Sequence, residues 1–252
     1  MLNFQKASDN AKLKELAAAI GVLLKHIYTF SLPSGWSCPA ARECLSKAHP
    51  ITGKITDGKE AIFRCYSATD EARSTAARKS RIVNFEQLKH LTEEAMFELI
   101  MASINTTRYL CMEVIRVHAA GDYFSEAYFR AWMRAAKSRP DIKMYSYTKS
   151  LNYWVANLDI VPDNFNLIAS RGGRHDHLIE EYGLREARVI FKPEEAEALG
   201  WPIDKDDSIA AIGTGNFCLL LHGTQPAGSV ASKAQSDMKK RNIKFSYSRG
   251  NK

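Results

Sequence analysis

The chain has 252 residues, 45% of them hydrophobic and 25% charged, which is enough apolar material for one α/β barrel or two small domains. Its net charge of +7 permits an acidic partner such as nucleic acid but does not demand one, because the basic residues are dispersed. Five cysteines in a chain of this length exclude a disulfide scaffold, and no apolar run spans a bilayer or reads as a secretory leader, so a soluble cytoplasmic protein with reduced thiols is expected, with no membrane partner.

Leu13, Leu16, Ala17, Ile20 and Leu24 recur at helical spacing and predict a helix over 10–24. A short apolar and aromatic run over 27–32 predicts a strand, which Pro33-Ser34-Gly35 terminates. The cysteine-bearing region, 30–80, follows, with Cys38, Cys44 and Cys65 in it and a polar excursion over 49–60 that reads as a hairpin. Residues 70–79 predict a helix opening near Asp70, and Asn84 reads as the cap of a longer helix over 85–105.

From there the pattern alternates. Strands are expected over 112–117, 142–147, 165–169, 187–191, 209–212 and 217–221. Helices are expected over 125–138, 151–157, 177–182, 193–199 (with Pro193 in its first turn) and 228–240. Residues 244–252 read as a loose tail. Alternation of this kind implies parallel pairing with right-handed crossovers, hence a single α/β domain over 1–252: a full or partial (β/α) barrel, or an open doubly wound sheet, behind an N-terminal cysteine-bearing loop.

Parallel α/β folds bind ligands at the carboxyl ends of their strands. Polar groups beside glycine or a turn gather there: Arg116, His118, Gly121 and Asp122 after the second strand, Tyr147, Thr148 and Lys149 after the third. Ser170, Arg171, Gly172, Gly173, His175 and Asp176 follow the next strand, and His222, Gly223 and Thr224 follow the last. Each has a plainer reading. Asp122 suits a turn or helix cap, Lys149 a solvated strand end, Gly172-Gly173 an ordinary loop, His222 a satisfied loop histidine. Cys111 and Cys218 fall at or inside apolar strand patterns and read as buried small residues.

The order of several segments resembles a known family. These are Phe30-Ser31-Leu32-Pro33-Ser34-Gly35-Trp36-Ser37-Cys38-Pro39, Cys65-Tyr66, and the run Arg116-Val117-His118-Ala119-Ala120-Gly121-Asp122-Tyr123-Phe124-Ser125. Tyr128, Trp132, Tyr145-Ser146-Tyr147-Thr148-Lys149 and Ser170-Arg171-Gly172-Gly173 through Asp176 continue it. Together they resemble the bacteriophage gene product 88 family, whose cysteine stretch is remotely similar to the cluster loop of the radical S-adenosylmethionine superfamily. The resemblance implies a full or partial (β/α) barrel and a [4Fe–4S] cluster on Cys38, Cys44 and Cys65, with S-adenosylmethionine as ligand of the open iron. Arg116, His118, Gly121, Asp122, Tyr147, Lys149 and Ser170 would then line the cofactor or substrate pocket. The cysteines are separated by five and then twenty residues, which differs from the usual superfamily spacing.

Two other functions fit the same residues. A metal-dependent hydrolase or nuclease would use His118, Asp122, His175, Asp176 and His222 as ligands for zinc or manganese. A non-catalytic protein would use metal only to staple the N-terminal loop.

Overall fold

Strands buried on both faces need helices to cover them, and the helical crossovers return the chain to the same end of the sheet. The computed structural model describes residues 1–7, 11–106, 109 and 111–243. In chain order these form β1 (Gln5–Lys6), α1 (Ala11–Ile20), β2 (Ile27–Ser31), β3 (Ser46–Ala48), β4 (Ile55–Asp57), α2 (Tyr66–Arg73), α3 (Thr75–Leu88) and α4 (Glu93–Ile104). The alternating part is β5 (Val114–Ala120), α5 (Glu126–Ser138), β6 (Lys143–Thr148), α6 (Leu151–Val155), β7 (Phe165–Ser170), α7 (His177–Tyr182), β8 (Glu186–Ile190) and α8 (Pro193–Leu199). It closes with α9 (Ser208–Ile212), β9 (Phe217–Leu220) and α10 (Val230–Lys240).

Seven strands make one sheet in the order β1-β2-β5-β6-β7-β8-β9. β1 runs antiparallel to β2, and every other pair is parallel. The six parallel strands thus follow sequence order without reversal, which corrects the doubly wound alternative. β1 and β9 are the sheet's two ends and do not pair with each other, so the sheet is not a closed barrel. β3 and β4 form a separate antiparallel hairpin, as the polar excursion implied.

Side-chain alternation sends the two strand faces to different partners. Tyr28, Phe30, Ile115, Val117, Met144 and Leu167 meet a large core with α4, α5, α6 and α7, centred on the fully buried Trp132. On the opposite face Ile27, Val114, Tyr145, Ile168, Ala187 and Phe217 are covered by Leu13, Leu16 and Ala17 of α1 and by Ala210 and Ala211 of α9. Those short helices leave the carboxyl ends of the strands open.

Four local expectations are corrected. Residues 209–212 are helical, because Asp204 and Asp206 accept the backbone N–H groups of Ala210 and Ser208 and set up a helix start. The helix expected to open near Asp70 opens at Cys65 and breaks at Ser74, whose hydroxyl caps α3 by accepting from the Ala77 N–H. Asn84 is not a cap: it lies buried inside α3, and the following helix is capped by Thr92. The Asn84 amide accepts from the Asn3 N–H at 2.8 Å and donates to the carbonyls of Asn3 and Ser31 at 3.0 and 3.1 Å, so it ties the N-terminal segment and β2 to α3. Cys111, expected to be buried, is exposed, whereas Cys218 is buried in β9. Asn10 and the tail 244–252 lie outside the described residues.

Asn84→Ala leaves those three backbone groups without their partner. It should cost roughly 2 kcal/mol of unfolding free energy in denaturant titration, against less than 0.5 for an exposed alanine substitution on the same helix.

Candidate functional site

At the carboxyl end of the sheet lies a cavity of about 900 Å³. Its floor comes from β5, β6, β7 and β9, its roof from the cysteine-bearing segment, and one wall from α10. Cys38, Cys44 and Cys65 all line it, although twenty residues separate the second from the third.

The roof is fixed by buried polar contacts. Glu71, fully buried in α2, accepts from the Ser34 N–H at 2.9 Å, the Ser34 hydroxyl at 3.1 Å and Arg81 at 3.0 Å. Arg81 also pairs with Asp70 at 2.6 Å. These contacts join the turn before Cys38 to the helix that begins after Cys65. Arg78 holds the hairpin in the same way, donating to the carbonyls of Pro50, Ile51 and Glu71.

Between Cys38 and Cys44 the loop docks on the Gly172-Gly173 turn. Glu43 N–H donates to the Gly172 carbonyl at 3.0 Å, Arg174 N–H donates to the Ala40 carbonyl at 2.9 Å, and Ala41 bridges Gly173. The two glycine N–H groups are taken by the Asp176 carboxylate at 2.9 and 2.8 Å. The turn is therefore a docking strip, with no free donors for a phosphate. Gly121 plays the matching part after β5: it has φ +85°, and a Cβ there would meet Leu32 and Ser37 at 2.6 Å.

His118 is where the sequence pattern misleads. Alternation along β5 puts it on the cavity face beside Arg116. The pairing of β2 with β5 slips between Thr29 and Ser31, and His118 takes φ +61°, which marks a bulge. The imidazole turns into the aromatic core, where Nε2 lies 3.1 Å from the Tyr128 hydroxyl and the ring meets Tyr123 edge-on. Burial pushes its pKa down to about 3, so it is neutral there. The other four residues of the metal-hydrolase set also go separate ways: Asp176 closes the glycine turn, the His175 ring meets His177, Asp122 binds the next loop, and His222 packs on Tyr66.

Asp122 is neither an exposed turn residue nor a helix cap; Ser125 caps α5. It is buried and accepts from Thr148 at 2.6 Å, from the Tyr123 N–H at 2.7 Å and from the Lys149 N–H at 2.8 Å, joining the ends of β5 and β6. Burial raises its pKa to about 6 despite those donors. Lys149 is buried as well, against its plainer reading as a solvated strand end. Its ammonium donates to the Ser170 carbonyl and hydroxyl at 2.8 and 2.9 Å and to the Arg171 carbonyl at 2.6 Å, with no carboxylate in salt-bridge contact among the described residues.

The thiols respond to this setting. Burial pushes Cys38 well above the ordinary thiol range, and the charges of Asp122 and Cys65 add to it. Cys44 is pushed up to about 11 by burial, with Lys149 opposing and Cys65 and Asp122 adding. Cys65 is raised by burial, against the backbone N–H groups of Ser67 and Ala68 at the start of α2. Gly35 N–H donates to the Cys38 sulfur at 3.3 Å. The three thiols therefore share one electrostatic neighbourhood. Among the described residues, however, no three His, Cys, Asp or Glu side chains stand ready-placed to hold a metal ion.

The cavity floor centres on Asp207, which sequence reasoning missed because the adjoining residues read as a strand. It is fully buried with φ +66°. Arg116 pairs with it at 2.6 Å, and the hydroxyls of Tyr145 and Tyr147 each donate to it at 3.2 Å. The cluster Asp204-Lys205-Asp206-Asp207-Ser208 was the available signal, since such residues belong at helix starts.

A family model described as Gene product 88 matches residues 2–244. The chain belongs to the gene product 88 family. It is 26% identical over 128 residues to the Gene 88 protein of Mycobacterium phage L5, a match covering 48% of this chain and 47% of that protein. The chain thus matches about half the length of that curated relative. No solved structure matches it. No helix among the described residues of this gene product 88 protein is long and apolar enough to cross a membrane.

Two measurements check the electrostatics. Alkylation with iodoacetamide near neutral pH, followed by mass spectrometry, should label exposed Cys111 first. Cys44 should remain slow until the pH approaches about 11. Asp122 titrates near 6 when folded and near 4 when unfolded, so its contribution to stability is complete below about pH 4 and is lost as the pH rises through 6. The unfolding free energy should fall by up to about 3 kcal/mol from this group between pH 4 and 7, and Asp122→Asn should flatten that decline.

Proposed function

We propose that this gene product 88 protein is an iron–sulfur protein in which Cys38, Cys44 and Cys65 hold a [4Fe–4S] cluster at the carboxyl end of a partial-barrel sheet, similar to the radical S-adenosylmethionine enzymes. The observation that carries this reading is the arrival of all three thiols in one cavity from separate stretches of chain. Thiolates are the soft donors such clusters take, and there are three of them. Backbone N–H groups of Gly35, Ser67 and Ala68 face the sulfurs of Cys38 and Cys65, which stabilises thiolate over thiol. Lys149 acts on Cys44 in the same direction. Because the thiols do not stand ready-placed, their side chains have to draw together on loading.

When bound, such a cluster supplies single electrons and leaves one iron for an outside ligand, for which S-adenosylmethionine is the candidate. The chain's own residues supply position and charge. Gly121 keeps the loop after β5 close to the Cys38 turn. Asp122 fixes the β6 end and thereby the Lys149 backbone. Arg116, Tyr147 and Ser170 line the space beside the thiols. Ligation requires loss of three thiol protons, so loading should be favoured as the pH rises.

Anaerobic reconstitution with iron and sulfide tests the reading. About four irons and four sulfides per chain are expected, with a paramagnetic signal after reduction that S-adenosylmethionine alters. Cys65→Ala should lose most of the iron. A colourless protein, or iron retained when all three cysteines are serine, overturns the reading.

A further inference from the structure

Away from the thiols, the cavity's outer end has a different chemistry. α10 buries Ala231, Ala234 and Met238 on one face. Its polar residues Ser232, Gln235, Ser236 and Lys239, spaced to share one helical stripe, line the cavity. Arg73 ends α2 and lines the same cavity. Neither Arg73 nor Lys239 has a carboxylate partner among the described residues.

The carboxylates that line the cavity are already engaged. Asp70 is paired with Arg81, Asp207 with Arg116 and two tyrosines, and Asp122 with its three donors. The cavity is therefore lined by two cations without a carboxylate partner among the described residues, with the hydroxyl and amide groups of Ser232, Gln235 and Ser236 on the stripe of Lys239. The Tyr66 ring lies on His222 at 4.6 Å between centroids, and both line the cavity. The two rings, tilted by 36°, give an aromatic surface for a flat ring in the same cavity as the two cations.

We propose that the outer part of this cavity binds a phosphoryl-bearing ligand of nucleotide size, its phosphoryl group held between Arg73 and Lys239. Two cations lining one cavity match a dianion better than a single carboxylate. A cavity of about 900 Å³ has room for such a ligand beyond the thiols. The phosphate can come from a free nucleotide or from a nucleic-acid strand end, since both offer the same group. The inference rests on the cavity and its side chains and does not require a cluster.

The test is equilibrium binding to the full-length chain, purified without reconstitution. Adenosine 5′-monophosphate should bind at least about tenfold more tightly than adenosine, with affinity falling as salt rises. The double variant Arg73→Gln/Lys239→Gln should lose that preference while keeping its circular dichroism and melting temperature. Lys239→Glu alone should weaken binding further than Lys239→Gln. A single-stranded oligonucleotide that competes for the same two residues would identify a nucleic acid as the source of the phosphate and supports the site. Equal affinities for the monophosphate and adenosine, or a preference that survives in the double variant, overturn the proposal. Iron content is measured separately, so failure here leaves the cluster reading standing, and the reverse also holds.

Discussion

The buried carboxylate of Glu71 is the contact on which the site's architecture depends. Isolated in the interior it would be strongly destabilising, and burial does raise its pKa. It is tolerated because Ser34 and Arg81 together satisfy it. The consequence is geometric. Ser34 lies in the turn that leads to Cys38, and Glu71 lies on the helix that Cys65 begins. The two Ser34 hydrogen bonds to Glu71 therefore bring the first and third cysteine segments together, and the Glu71–Arg81 ion pair balances the charge, while the Gly172-Gly173 strip seats the stretch leading to the second. Removing either partner of such a pair leaves an uncompensated buried charge, which typically costs about 3–5 kcal/mol.

The cavity below this roof is divided by charge. At the floor, Arg116 and Asp207 neutralise each other, and the tyrosine hydroxyls donate to the same carboxylate. Lys149 is a buried cation whose ammonium donates to the Ser170 and Arg171 oxygens, and its charge reaches both Asp122 and the Cys44 thiol. Arg73 and Lys239 also line the cavity and have no carboxylate partner among the described residues. The chain's excess of positive charge is spread along the sequence, yet folding places part of it around a single opening.

Legibility varied with the kind of signal. Helix α5 was readable because Ser125 is a cap and the apolar residues keep a strict period; α7 and α8 matched their expected bounds. Residues 209–212 were misread because Ile-Ala-Ala-Ile is apolar without a period, and its helical state comes from carboxylates upstream. The break at Ser74 was invisible because a serine in an Ala-rich run reads as helix interior, and here its hydroxyl is a cap. At the site, Cys38, Cys44, Cys65, Asp122, Lys149 and Ser170 do come together around the cavity. Asp207 and Glu71 were missed, since Arg116, Tyr145 and Tyr147 lie far from the one in sequence and Ser34 from the other.

The sequence by itself determined the α/β class, the parallel pairing and the end of the sheet at which ligand chemistry gathers, because those follow from local periodicity and from the residues that stop each strand. Tertiary structure alone decided that the sheet stays open, that a bulge packs the His118 imidazole against Tyr123 and Tyr128, and that three distant thiols face a common space. Those outcomes depend on strand register and on buried ion pairs between segments far apart in the chain, and neither leaves a trace in local spacing.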